Sequence, residues 1–126
     1  ALPISLHNHI YAQGYAASRS DPASTQSWDA FWTVITGTIT PTTLTTSATT
    51  GNTVSYIIQR LCNSQGAPTG NVDCSQPQTT TSGTGSSSKG AGFVQLSVAT
   101  GVYYRITSRI VGPRNTVSYV QAIVQL

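Results

Sequence analysis

The clearest alternation of apolar and polar residues lies in the last quarter of the chain. Three runs rich in Val, Ile, Tyr and Thr have the composition of β-strands. The runs are residues 93–99, 102–111 and 116–126. Thr100 and Gly101 between the first two fit a tight hairpin turn, and residues 112–115 fit a four-residue turn between the last two. The pattern predicts a three-stranded antiparallel meander.

Period-two alternation assigns two faces to these strands. The last strand has one apolar face, formed by Val120, Ala122, Val124 and Leu126, which we expect to be buried. The middle strand has a face formed by Tyr104, Ile106 and Ile110. Its opposite face carries Arg105, Thr107 and Arg109, and we expect that face to meet solvent.

Two further elements are predicted upstream. Residues 53–61 form a fourth strand-like run. Residues 24–27 supply helix N-cap candidates ahead of Trp28, Phe31, Trp32 and Ile35, whose i, i+3, i+4, i+7 spacing makes one apolar stripe. We therefore expect a short helix that covers the sheet, and an α+β fold with a sheet of four or more antiparallel strands.

The remaining segments carry weaker signals. The Thr-rich stretch after Gly37, with Pro41 inside it, is typical of an irregular or edge strand followed by a loop. Residues 1–15 fit either a broken helix or an extended tail. Residues 76–92 consist almost entirely of Ser, Thr and Gly and are expected to form a flexible surface loop.

Length and composition narrow the class of protein. At 126 residues the chain fits one domain, and 16 Ser and 20 Thr with no Glu exclude a helical bundle. No apolar run reaches the 18 residues or more of a membrane-spanning helix. The net charge of +3 comes from dispersed Lys and Arg residues, so we expect no nucleic-acid binding.

Cys62 and Cys74 are the only thiols, and a turn-rich segment separates them. Zinc binding would need two more ligands nearby. A disulfide bridge explains the pair better and would place the protein in an oxidising compartment. Two unpaired thiols in a cytosolic protein are the alternative.

Few residues suggest catalysis. His7 and His9 lie two positions apart and could share a metal ion, but the further ligands such a site needs are missing from the sequence around them, and a polar N-terminal segment is the simpler interpretation. Paired acids and a Gly-x-Ser-x-Gly motif are absent from the sequence, so we expect neither an enzyme nor a cofactor. Trp28 and Trp32 suggest either the core face of a helix or a sugar-stacking platform.

The C-terminal run 103–122 combines a Tyr-Tyr-Arg-Ile strand, a Gly-Pro-Arg-Asn-Thr turn and a Val-Ser-Tyr-Val-Gln strand. It resembles the end of the PilX-like minor pilins of bacterial type IV pili. Residues 51–74, with Arg-Leu-Cys and a second Cys after Ala-Pro, are similar to the middle of the same family. The resemblance covers about a third of the chain, and residues 1–50 match no pilin motif.

The resemblance implies a pilin-like domain with an antiparallel sheet on the distal part of a long N-terminal helix. That helix would precede Ala1, so we expect a soluble domain trimmed of its membrane anchor. Its regions would be a variable part (1–50), a strand with the disulfide loop (51–74), the flexible loop (76–92) and the meander (93–126).

The function implied is assembly of the type IV pilus at the inner membrane and periplasm, or a place in the fibre at the cell surface. Partners would be major and minor pilins and the assembly machinery, and the activity would support adhesion, aggregation or twitching. The candidate interaction residues are Trp28, Trp32, Arg105, Arg109 and Arg114. The alternative is a secreted or surface carbohydrate-binding adhesin module.

Overall fold

The computed structural model describes residues 4–44, 50–69, 71–76 and 101–126. Within these ranges the chain forms one short α-helix and a mixed five-stranded sheet, so the fold class is α+β, as predicted. The predicted strand 93–99, Thr100 of the predicted hairpin turn, and all of the predicted loop 76–92 except Gln76 lie outside the described residues.

Three long strands and two very short ones make the sheet. They are β1 (Tyr15–Ala16), β2 (Thr42–Thr43), β3 (Thr53–Arg60), β4 (Tyr103–Val111) and β5 (Val117–Gln125). The three long strands agree with the predicted runs to within one residue at each end. β2 is the edge strand that the Thr-rich stretch suggested.

The strand order is β1-β3-β4-β5, and β2 also pairs with β3. β1 runs parallel to β3, with Tyr15 opposite Ile58. The prediction of an antiparallel sheet is therefore wrong for this edge, although the β2, β4 and β5 pairings are antiparallel. A two-residue strand is too short to carry a periodic signal.

The expected C-terminal meander also needs correction. β4 lies between β3 and β5, so the place beside it that was predicted for residues 93–99 is occupied by β3. This pairing sets Ile58 opposite Ile106 and Val54 opposite Ile110. Apolar cross-strand pairs of this kind stabilise a sheet and compensate for the long connection between the two strands.

The β4–β5 hairpin turns at residues 112–116, as predicted. The Gly112 amide donates to the Thr116 carbonyl at 2.7 Å. The left-handed backbone belongs to Arg114 and Asn115, with φ of 68° and 60°, and Gly112 itself has a negative φ. Two successive positive-φ residues suit the twist of a hairpin, and Asn tolerates this conformation better than most residues.

Helix α1 (Trp28–Ile35) begins where the sequence indicates. The Ser27 side chain accepts a hydrogen bond from the Ala30 amide at 3.2 Å and so caps the helix. Phe31 and Trp32 are buried, and Trp32 packs against Ile57 of β3. The predicted short helix on one face of the sheet is confirmed.

The two sheet faces are covered unequally. The helix face, which carries Ile57, Gln59, Arg105, Thr107 and Tyr119, lies under α1 and residues 16–21. The open face carries Tyr56, Ile58, Ile106, Val120 and Val124. On the open face, Leu6, Ile10, Tyr15, Ala17 and the disulfide loop cover only the end that bears Tyr104.

The burial of β4 and β5 differs from the prediction: residues expected to meet solvent are buried on β4, and both faces of β5 are largely exposed. Thr107 is 1% exposed and Arg105 8%, although their face was expected to meet solvent. Val120 is 56% exposed and Leu126 74%, although theirs was expected to be buried. Alternation identifies the two faces but not the one that other elements cover, and Arg105 can be buried because Asp21 neutralises it.

The N-terminal segment contains two single-turn 3-10 helices, Ile4–His7 and Tyr11–Gln13. Of the two alternatives for residues 1–15, the described part is therefore a broken helix. Gly14 ends the second turn with φ of 79°, and its carbonyl accepts from the Ile58 amide at 2.8 Å. This turn leads the chain directly into β1.

Candidate functional site

The open face is an apolar surface that α1 does not cover and that the N-terminal segment covers only at one end. It includes a groove of about 250 Å³ whose exposed lining contains no polar area. The groove is lined by Leu6, Tyr15, Ile58, Tyr104, Ile106, Val124 and Leu126. Such a groove is a candidate docking site, because concave apolar surfaces are where partners and ligands preferentially bind.

Two tyrosines form the inner wall of the groove. The Tyr15 hydroxyl donates to the Leu6 carbonyl at 2.7 Å, and the two rings lie 6.3 Å apart. Burial raises the pKa of both hydroxyls, most strongly that of Tyr15, where the nearby Tyr104 adds to the effect. The shift reflects how little water reaches the two hydroxyls, and the rings present an apolar wall to the groove.

The segment above this wall is held by Arg60 at the end of β3. Arg60 is fully buried, and its Nε donates to the Ala17 carbonyl at 2.9 Å. Its Nη2 donates to the carbonyls of Ser64 and Gly66 at 3.0 and 2.8 Å. The Gly66 amide in turn donates to the His7 carbonyl. One guanidinium thus joins the N-terminal segment and the disulfide loop to the sheet.

The bridge between Cys62 and Cys74 is present, as the sequence predicts. Backbone hydrogen bonds flank it on both sides, from Asn63 to Asp73 and from Ser75 to Leu61. Both half-cystines are buried and belong to the same apolar cluster as Tyr15 and Tyr104. The bridge therefore supports the groove from behind.

The candidate interaction residue Arg105 lies inside the protein. Its Nη1 donates to Asp21 at 2.5 Å, and its Nη2 donates to the Ser20 carbonyl and to Gln59, both at 2.8 Å. Burial opposes ionisation of Asp21, but hydrogen bonds from Arg105 and Arg19 outweigh it and lower the pKa of the carboxyl. Arg105 anchors residues 19–21 and has little surface to offer a partner.

The other two candidate arginines reach solvent. Arg114 lies at the exposed tip of the β4–β5 hairpin. Arg109 is half-buried, and its Nε donates to the Tyr119 hydroxyl at 3.3 Å. A contact of either residue with a partner stays a prediction.

An aromatic cluster joins α1 to β5. The Tyr119 ring lies 5.7 Å from Trp28 and 6.0 Å from Trp32, and its hydroxyl donates to Asp29 at 2.5 Å. Burial and the Asp29 hydrogen bond raise the pKa of Tyr119. Trp32 is only 8% exposed, so it serves the core of the fold. Trp28 is half-buried and is the one tryptophan of the pair with surface for a ligand.

The two N-terminal histidines have separate surroundings. His9 stacks on Tyr11 with ring centres 4.5 Å apart, and its Nδ1 accepts from the Ala17 amide at 3.0 Å. Burial and the positive charge of Arg60 lower the pKa of His9. Within the described ranges, no group of three His, Cys, Asp or Glu side chains lies close enough together to hold a metal ion.

Alternation identified the apolar residues that β4 and β5 contribute to this site but predicted that they are buried, and no pattern pointed to Leu6 or Tyr15. The alternation of Val120, Ala122 and Val124 identified the face, and its exposure was not predicted. Arg60 carried no signal of its own, because an Arg at the end of a strand is usually solvent-exposed. The structural role of Arg60 depends on backbone carbonyls that only the folded chain brings around its guanidinium.

Comparisons with known proteins give no family, since no family model, curated protein or solved structure matches the chain. Among the described residues, no helix has the length and apolar character needed to cross a membrane.

Proposed function

We propose that this chain is the globular domain of a minor pilin and acts in type IV pilus assembly by docking with other pilins. The proposal rests on the resemblance of residues 103–122 and 51–74 to PilX-like pilins. The observation that carries it furthest is the apolar open face. A face of this kind fits a protein whose work is to bind other protein surfaces.

Three features of the open face support docking over catalysis. Its groove is apolar, its inner wall is formed by the buried rings of Tyr15 and Tyr104, and exposed Val120 and Val124 extend it along β5. Burying a side chain such as these contributes about 1.5–3 kcal/mol. A few of them suffice to hold an apolar helix of a pilin subunit.

In this proposal the domain works at the inner membrane and periplasm or at the cell surface within the fibre. The helix that occupies the open face is the pilin-type N-terminal helix, and neighbouring major or minor pilins meet the rest of the sheet. The buried disulfide suits an oxidising compartment of this kind. Docking primes assembly, and attachment, aggregation and twitching follow from the pili that form.

The test is a matched pair of valine substitutions in the bacterium that carries the gene. Val120→Lys places a charge on the open face, and Val34→Lys places one on α1, where the valine is similarly exposed at 67%. We expect Val120→Lys to reduce surface pili and twitching, and Val34→Lys to leave them normal. Normal piliation in the Val120 variant, with the protein stably produced, would overturn the proposal.

The sequence immediately upstream of the Ala1 codon gives an independent check. A short basic leader followed by about 20 apolar residues, the length that crosses a bilayer, is the expected result. A cleavable signal peptide that runs directly into Ala1 would contradict the pilin proposal. It would favour the alternative of an exported carbohydrate-binding module.

One observation favours that second candidate. Trp28 is half-buried and its ring lies 5.7 Å from that of Tyr119, whose hydroxyl is hydrogen-bonded to Asp29 and Arg109, so an aromatic ring stands near groups of the kind that hydrogen-bond sugar hydroxyls. A glycan array separates the two candidates. Binding that Trp28→Ala abolishes would support the adhesin module, whereas a pilus-assembly subunit needs no sugar.

A further inference from the structure

The outer edge of β5 has no partner strand among the described residues. β5 is nine residues long, and its only hydrogen-bonded neighbour in the described structure is β4. Free edges of this length are usually protected by a charged residue, a proline or a bulge. β5 has none of these protections. Its sequence contains no Lys, Arg, Asp, Glu or Pro, and its pairing with β4 is unbroken from Val117 to Gln125.

The hydrogen-bond phase of the hairpin shows which amides face that edge. Val102 and Leu126 exchange both backbone hydrogen bonds, at 3.3 and 3.2 Å. Because such pairs alternate in an antiparallel ladder, the even-numbered residues of β5 bond to β4. The backbone groups that point outward belong to Val117, Tyr119, Gln121, Ile123 and Gln125.

We propose that this edge pairs with the β5 edge of a second copy of the chain in antiparallel fashion, so that two sheets become one. A two-fold axis at Gln121 aligns all nine residues of both strands. It sets Tyr119 opposite Ile123 and Val120 opposite Ala122 of the other copy. Every outward N–H and C=O of the strand then has a partner in the shared sheet.

Two features argue for a second copy over an unrelated strand. A two-fold pairing places the residues at the axis beside their own equivalents, so a charge there would repel its copy, and β5 carries no Lys, Arg, Asp or Glu. Exposed apolar side chains flank the edge on both faces, Val120 at 56% and Ile123 at 61%. Pairing with another copy shields these side chains from water in both copies at once. The pairing is independent of the proposed pilin function, since it requires no helix on the open face.

The first test removes one outward amide. Ile123→Pro deletes an N–H that points away from β4, a position at which proline is tolerated in an edge strand. Ile123→Thr is the matched control, because it keeps the amide and changes only the side chain. We expect sedimentation equilibrium to show a dimer of the unaltered 126-residue chain. In the proline variant we expect the dissociation constant of the dimer to rise about 10- to 100-fold.

The second test does not depend on the proline variant folding. Gln121→Lys and Gln121→Asp each place like charges opposite one another at the two-fold axis. We expect each variant alone to be monomeric at low salt and an equimolar mixture to form a dimer. A dimer restored by mixing shows that position 121 of one copy faces position 121 of the other. A loss of stability in either variant could not produce that result.

Three results would overturn the pairing. One is a monomer at every concentration. Another is a dimer that neither Ile123→Pro nor the Gln121 variants weaken. The last is a monomer whose Ile123 amide is protected from hydrogen exchange, because part of the same chain would then cover the edge.

Discussion

Arg105 on β4 donates to Asp21 from a position 84 residues away and from the interior of the protein, where both its Nη atoms are hydrogen-bonded. This contact fastens the segment between β1 and α1 to the helix face of the sheet. A buried cation of this kind is stabilising only while its partner remains.

Loss of the Asp21 carboxylate therefore destabilises the fold. Asp21→Asn should lower the free energy of unfolding by about 2 kcal/mol, since hydrogen bonds to charged groups contribute 1.5–3 kcal/mol. Asp73→Asn is the control, because that side chain is exposed and makes no hydrogen bond to the described residues. Urea denaturation measures both. Equal effects of the two substitutions would show that the Arg105 contact adds nothing.

The same carboxyl makes the free energy of unfolding fall at acidic pH. Its pKa in the folded protein lies below the ordinary value of 3.8. Between these two pKa values the unfolded chain therefore binds more protons than the folded protein. The contribution of Asp21 is thus complete above pH 3.8 and is lost as the pH falls through the folded pKa. Urea midpoints measured downward from pH 5 should fall less in Asp21→Asn than in the unaltered protein.

Arg60→Met tests the guanidinium that joins the N-terminal segment to the disulfide loop. Methionine keeps the apolar stem but leaves the carbonyls of Ala17, Ser64 and Gly66 without their donor. The Ala17 contact is buried, whereas water can reach the Ser64 and Gly66 carbonyls, so we expect a loss of about 1–3 kcal/mol, the cost of one unsatisfied buried group. Arg114→Met, at the exposed hairpin tip, should have little effect. A fully stable Arg60 variant would mean that these carbonyls find other donors.

The Cys62–Cys74 bridge closes a short loop behind the groove wall. Replacing both cysteines with serine should reduce stability by about 3 kcal/mol in the chain-entropy account of a loop this size. Under the proposed pilin function, the same variant should also lower piliation. Unchanged melting together with normal pili would refute the supporting role given to the bridge.

His9 predicts a second pH dependence near neutrality. Its pKa is below the ordinary 6.5, so the unfolded chain takes up a proton first and stability falls as the pH drops below 6.5. Protonation removes the acceptor of the Ala17 amide and adds a positive charge near Arg60. His9→Asn supplies an oxygen acceptor that does not titrate, so it should flatten the pH dependence of the free energy of unfolding below pH 6.5. His7→Asn should keep it.

The elements of the fold could be predicted where a local signal determines them. The spacing of Trp28, Phe31 and Trp32 behind a Ser27 cap specifies α1, and the Val and Ile runs specify the three long strands. Each of these signals acts over a few neighbouring residues. The fold class follows from them.

The parts that could not be predicted depend on distant contacts. The parallel pairing of Tyr15 with Ile58 links a two-residue strand to one more than 40 positions away. The burial of Arg105 needs Asp21 and Gln59, and the exposure of Val120 reflects what other elements leave uncovered. The candidate site was missed for this last reason, because alternation along a strand is the same whichever face is covered.

The two edges of the sheet differ in a way that limits the size of an assembly. On the far side of β3, β1 and β2 contribute two residues each, and strands this short offer little backbone for a further copy to extend. Once two β5 strands have paired, the long edge of each chain is used. Growth therefore stops at two copies, and a strand with the composition of an aggregation-prone segment gives a closed pair in place of an open-ended fibril.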